Sequence, residues 1–218
     1  VIVTQLVRSP GAYLMEPKDA TKQVFVANLM PSRGSWLELE IDKKGIVYAR
    51  IDRKRKLPIT TLLRALPLED PTTGSTLDTS SNEKILELFD NSVYIRNTLE
   101  KDTTTREEEA LIEVFKKQRP GEPPTLDNAR NLLKALFFDP KRYDLTKVGR
   151  YKLNQRLGVH VPDETRVLTT EDIVALVRKL IALPTALGVT EDSKDYAADR
   201  SEEHTSELQS RLHLVCRL

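Results

Sequence analysis

The sequence predicts an α+β domain: a small antiparallel sheet with a β-hairpin, packed against several helices. Three observations predict it. Period-two alternation is confined to the N-terminal part of the chain, helical periodicity takes over from Leu57 onward, and no repeat of roughly 20–50 residues interrupts that order. A sheet followed by helices is the α+β arrangement.

Val1 to Val7 reads as a first strand with Val1, Val3, Gln5 and Val7 on one face, and Arg8-Ser9-Pro10-Gly11 breaks it. Val24 to Met30 is a second, apolar strand, turned by Pro31-Ser32-Arg33-Gly34. The stretch that organises the rest is Arg33 to Lys56. Trp36 to Ile41 alternates as a strand with one wet face should, and Ile46 to Asp52 is rich in β-branched and aromatic residues. Between them Asp42-Lys43-Lys44-Gly45 suits a type I turn closed by a left-handed glycine. With Asp42 opposite Ile46, the pairs Ile41/Val47, Leu39/Ala49 and Leu37/Ile51 share an apolar face. The other face then pairs Glu40 with Tyr48, Glu38 with Arg50, and Trp36 with Asp52. A slip of one residue sets Leu37 against Arg50 and buries charge, so the first register is favoured.

Leu57 to Leu66 fits a short helix with Pro58 in its first turn and one apolar stripe at Ile59, Leu62, Leu63 and Leu66, stopped by Pro67. Glu69 to Asn82 has the composition of a mobile loop. Ser81 or Asn82 caps a helix through Phe89, and Val93 to Leu99 fits either helix or strand. Thr105-Arg106-Glu107-Glu108 is a capping box opening a helix that carries Leu111, Ile112, Val114 and Phe115. After an irregular Arg119-Pro120-Gly121-Glu122-Pro123-Pro124 loop, Thr125 caps a helix through Phe138. A further helix spans Thr146–Leu157, and Thr169-Thr170-Glu171-Asp172 opens the last one, which Pro184 ends.

Composition narrows the function. The 218 residues carry 31% charged side chains but a net charge of only +1, so nucleic-acid binding must come from local clusters rather than a global field. One Cys excludes a disulfide framework and fits a reducing compartment, and no apolar run approaches the ~20 residues of a membrane span. The chain begins without Met and reads as a fragment. Arg200 to Ser210 resembles the translation of a sequencing adapter, so residues 200–218 are set apart from the fold, and Cys216, His204 and His213 go with them. The remaining His160 has no partner at metal-ligand spacing, and GxSxG, P-loop and GxGxxG patterns are absent. Glu107 to Glu109 and Glu171-Asp172 sit in first turns, where they offset the helix dipole. No metal site and no self-sufficient active site is expected.

The basic run Arg53-Lys54-Arg55-Lys56 has two readings: a strand end kept soluble by charge, or one rim of a binding site. Trp36 has two as well. Another element could cover the ring and make it core, or it could stand open beside the cations as a platform for unpaired bases.

With these residues in hand the chain resembles the lobe (β2) region of the bacterial RNA polymerase β subunit. The resemblance rests on Val1 to Gly11, Arg33-Gly34-Ser35-Trp36, Arg50 to Pro58, Arg119 to Pro124, Arg142-Tyr143-Asp144-Leu145 and Val148-Gly149-Arg150-Tyr151-Lys152. These stretches occur in family order, and the match fades after Val189. It implies that residues 1–199 form a truncated lobe, with residues 1–7 the entering strand from the protrusion. It also implies a pocket for a non-template-strand base, with lining positions matched by Arg8, Trp36, Asp52 and Arg53, while Val3 and Gln5 match the edge of the family's rifamycin pocket. The roles implied are stacking for Trp36, hydrogen-bond acceptance for Asp52, and polar or phosphate contact for Arg8 and Arg53. Implied partners are DNA (non-template strand and downstream duplex), β′ and the rest of β, α and ω in the core enzyme, and sigma factor, in the cytoplasm. Catalysis is then nucleotidyl transfer by the whole polymerase, with Mg²⁺ held by β′ and neither cofactor nor catalytic residue in this segment. Val7 stands where His is common in relatives, and the lobe is a compact version. The alternative is a stand-alone nucleic-acid-binding module without catalytic activity.

Overall fold

A computed structural model describes residues 8–15, 24–67, 74, 78–79 and 81–186. The expected strand over residues 1–7, the loop after Glu69 for the most part, and the adapter-like residues 200–218 lie outside the described residues.

Five strands form one antiparallel meander in chain order: β1 (Gly11–Met15), β2 (Phe25–Met30), β3 (Leu37–Ile41), β4 (Val47–Ile51) and β5 (Leu57–Pro58). The hairpin register follows the side-chain argument, with Ile41 opposite Val47, Leu39 opposite Ala49, Leu37 opposite Ile51, Glu40 opposite Tyr48 and Glu38 opposite Arg50. Gly45 closes the turn at φ +70°, its N–H donating to the Asp42 carbonyl at 2.8 Å. The six apolar hairpin residues are buried and the alternate ones are not, so period two was a sufficient guide here. β1 was not anticipated. Its first residue, Gly11, belongs to a Pro-Gly pair that reads as a breaker, yet the strand begins there at φ +143° and pairs with Met30.

The helices are α1 (Ile59–Ala65), α2 (Asn82–Leu88), α3 (Val93–Lys101), α4 (Glu107–Gln118), α5 (Leu126–Leu133), α6 (Thr146–Leu157) and α7 (Thr170–Ala186). α7 packs on β2 and β3, α6 on β1, and α1 and α3 on β4. Ser81 and Thr125 cap α2 and α5 as expected, accepting from the Lys84 and Asn128 N–H groups.

Several boundaries differ, each for a physical reason. Leu57 and Pro58 extend the sheet before α1 begins, and α1 is buried on every side rather than along one stripe. Its two threonines are satisfied by the Asp102 carboxylate, which accepts from the Thr60 hydroxyl at 2.6 Å and the Thr61 hydroxyl at 3.0 Å. The α4 box sits one residue later than the motif suggested: Glu109, not Glu108, reaches back to the N–H groups of Thr105 and Arg106. The α5 pattern runs into a π-turn over Lys134–Phe138, which brings Phe137 and Phe138 both into the core. α7 continues through Pro184 to Ala186, although Pro184 has no N–H to give the Leu180 carbonyl one turn back.

Candidate nucleic-acid interface

Strand register assembles the site. Leu29 pairs with Leu37 and Leu37 with Ile51, so one step outward places Met30, Trp36 and Asp52 abreast at one end of the sheet. Gly11 is opposite Met30 in the same row. Gly11 lies two strands from Trp36, about 10 Å at ordinary strand spacing, and Arg8 precedes it by three residues, leading into that same end.

Trp36 and Asp52 are joined by two hydrogen bonds. The Trp36 N–H donates to Asp52 Oδ1 at 2.8 Å, and the Asp52 N–H donates to the Trp36 carbonyl at 2.9 Å. Asp52 and Arg53 both adopt left-handed backbone, at φ +52° and +57°, a cost that recurs where a functional geometry is held. That turn folds Arg53 back, placing its guanidinium carbon 4.8 Å from the Trp36 ring centroid. The indole is half-buried, while Asp52 and Arg53 are exposed. Trp36 is therefore neither core nor a bare platform: one residue of its own basic rim lies over it.

Most of that rim is engaged. Arg53 Nε is 3.8 Å from Glu38, Lys56 pairs with Glu40, and Lys54 Nζ donates to the Gln118 carbonyl at 2.9 Å. Arg55 has no partner among the described residues. The local positive charge is thus smaller than four consecutive cations suggest, because Glu38 and Glu40 on the facing strand offset it. Arg8 is exposed, with its guanidinium carbon 6.0 Å from the Tyr13 ring centroid. Trp36, Asp52 and Arg53 come together; Arg8 shares their end of the sheet without touching them. Val3 and Gln5 lie outside the described residues.

The β2–β3 connection rests on Tyr143. A Cβ at Gly34, which has φ +120°, would lie 2.7 Å from a Tyr143 ring carbon, so only glycine lets the chain pass. An antiparallel bridge between Arg33 and Asp144 fixes the crossing. Burial first, and then the Asp172 carboxylate, raise the Tyr143 phenol well above its usual range, so the ring is a neutral support for the site.

The model of one family, RNA polymerase Rpb2, domain 2, matches residues 8–200, past the point near Val189 where the sequence motifs give out. The chain belongs to that family. It is 60% identical over 183 residues to the DNA-directed RNA polymerase subunit beta of Rubrobacter xylanophilus, covering 84% of this chain and 15% of the relative. It is 48% identical over 209 residues to the subunit of the same name from Syntrophomonas wolfei, covering 95% and 18%. With the Streptomyces coelicolor subunit it shares 50% over 185 residues, covering 84% and 15%. The chain thus spans less than a fifth of the length of the curated relatives it matches.

In this Rpb2 domain 2, two further cations border the sheet end. Arg119 and Arg142 line one cleft of about 300 Å³ with Asn128 and Asn131. The Lys54 bond to the Gln118 carbonyl and the Arg33 bond to the Pro140 carbonyl tie both sides of that cleft to the hairpin. Arg119 pairs with Glu122 at 3.2 Å and Arg142 with Asp139 at 3.7 Å, both at exposed positions. Sequence reasoning met both arginines only as family motifs, because neither loop carries a periodicity that places it beside β3. Among the described residues no group of three or more His, Cys, Asp or Glu could hold a metal, and no helix is long and apolar enough to cross a membrane. His160 is exposed.

Proposed function

We propose that residues 1–199 serve as the lobe of a DNA-directed RNA polymerase β subunit, taking up an unpaired non-template-strand base at the sheet end. The observation that carries this is the Arg53–Trp36–Asp52 arrangement. A guanidinium that is itself solvent-exposed is held on an indole by about 0.5–1 kcal/mol, whereas a base stacked on an aromatic ring gains about 1–3 kcal/mol. A base can therefore displace Arg53, whose side chain is 71% exposed and free to swing toward a phosphate. Asp52 Oδ1 is occupied by the Trp36 N–H, while Oδ2 has no partner among the described residues and can accept from a base edge. Such an acceptor favours bases that present N–H donors. Arg8, at the same end, contacts the adjoining phosphate.

The lobe does not perform the chemistry. Nucleotidyl transfer belongs to the assembled enzyme, with Mg²⁺ on β′, and the lobe works in the cytoplasm alongside the rest of β, β′, α, ω, sigma and downstream DNA. A stand-alone module has no observation of its own in its favour. The test places 2-aminopurine at successive non-template positions in open complexes of the assembled polymerase. Trp36→Ala is expected to restore quenched emission at one position and weaken capture there roughly 5- to 150-fold, the range that stacking supplies. Emission unchanged at every position overturns the base site.

A further inference from the structure

We propose that the cleft between α6 and the edge strand β1 carries the sugar-phosphate backbone of the strand adjoining the base at Trp36, with Arg8, Lys152 and Arg156 as its phosphate contacts. The inference rests on the base-site reading and extends it to a second surface.

Close packing brings the two elements together. A Cβ at Gly149 would lie 2.8 Å from the Pro10 side chain, so glycine is what allows α6 to approach the start of β1. From there α6 runs along the strand, and Lys152 Nζ donates to Ser9 Oγ at 2.9 Å, one residue from Arg8. The cleft formed has a volume of about 350 Å³ and is lined by Pro10 to Tyr13 with Lys152, Gln155 and Arg156. No carboxylate lines it.

Charge makes the choice of occupant. Within Thr146–Leu157 there are four cations, Lys147, Arg150, Lys152 and Arg156, and no acid. Arg150 is sealed against Asp172; the other three are exposed and have no carboxylate partner among the described residues. A face that only keeps a helix soluble mixes both signs and turns its aromatics inward. This one has a single sign, and the part-exposed Tyr13 ring lines the cleft beside Lys152 and Arg156. A cationic groove with accessible rings is what a nucleic-acid strand requires. Continuity points the same way: Arg53 over Trp36, Arg8 over Tyr13, then Lys152 and Arg156 form one path from the base site down the outer side of β1.

The test uses assembled polymerase on bubble templates whose non-template strand is extended nucleotide by nucleotide from the base at Trp36. The readout is the slope of log affinity against log salt. K152Q/R156Q is expected to reduce that slope by about 1.4, two phosphates at ~0.7 each, once the strand is long enough to reach the cleft and not before. Both side chains are exposed, and a thermal melt shows whether the neutral variant keeps the fold. W36A separates the two hypotheses: it should remove the 2-aminopurine signal and leave the slope intact. A normal W36A response with no slope change in K152Q/R156Q overturns the path and leaves the base site standing. A slope change that persists on templates lacking the non-template strand also overturns it, and assigns α6 to duplex or to an acidic protein segment. A slope change without any Trp36 signal breaks the continuity and removes the base site with it.

Discussion

Arg150 with Asp172, and Arg53 with its sequence neighbour Asp52, put the same two residue types to opposite uses. Arg150 and Asp172 lie between α6 and α7 with their side chains wholly buried, and every guanidinium nitrogen and both carboxylate oxygens are bonded. Arg150 Nη1 bonds both Asp172 oxygens at 2.9 and 2.8 Å, Nε bonds the Thr165 carbonyl at 2.8 Å, and Nη2 bonds the Val167 carbonyl. Asp172 Oδ2 also accepts from the Thr169 N–H at 2.9 Å. Asp52 and Arg53 are adjacent in sequence, exposed, held in left-handed backbone, and keep unused capacity: one carboxylate oxygen and most of a guanidinium. The first pair closes a structure and the second leaves one open. What separates them is bonding capacity left over after folding, since residue type and charge are the same.

The sharpest way to break that comparison is one chemical change made at both arginines. Arg150→Gln leaves Asp172 charged, buried and unpaired, and is expected to cost about 3–5 kcal/mol in denaturant unfolding. Arg53→Gln removes an exposed pair at 3.8 Å and is expected to cost under about 1 kcal/mol while weakening strand binding. Equal costs at the two sites would end the distinction.

Asp52 sharpens it at intermediate scale. Asp52→Ala deletes the acceptor for the Trp36 N–H and puts alanine at φ +52°, so about 1–2 kcal/mol of stability should go with the base site. Asp52→Asn keeps an oxygen for that N–H and tolerates the left-handed backbone. Its melting temperature should stay near the parent value, while base preference at the Trp36 position changes. A variant that loses stability without changing preference would make Asp52 a turn residue and nothing more.

How much of this was legible before the structure depends on whether local pattern or distant contact decides. The hairpin, its register, the Trp36–Asp52 pairing and the bounds of α6 are local, and alternation, a glycine turn and helical spacing carry them. Arg150 was invisible as a core residue, since a cation in a polar helix reads as solvated until Asp172 arrives from another element. Asp172 itself reads as a first-turn acid that offsets the dipole. Arg53 lying over Trp36 was hidden for a different reason: two consecutive residues at positive φ have no sequence signature when neither is glycine. Arg119 and Arg142 depend on where two loops land, which no period encodes.

Glu109 gives the smallest effect and the cleanest separation of exposure from bonding. It is on the surface, as Asp52 is, yet Oε2 accepts from the Thr105 N–H at 2.9 Å, the Thr105 hydroxyl at 3.1 Å and the Arg106 N–H at 3.4 Å. The Thr105 backbone bond is the first cause, and its hydroxyl the second, of a carboxyl held below the usual 4.5. A carboxylate whose folded value is depressed contributes stability at pH above the unfolded value and loses it as pH falls through the folded one. Thermal melts of the parent chain should therefore lose a small increment as pH drops below about 4.5, and Glu109→Gln should lack that part of the acid limb while melting slightly lower at neutral pH. If exposure alone governed these side chains, the two acid limbs would superimpose. If unused bonding capacity governs them, Glu109 behaves as a small relative of Asp172 despite standing in water, and Asp52 remains the acid at this sheet end with an oxygen to offer.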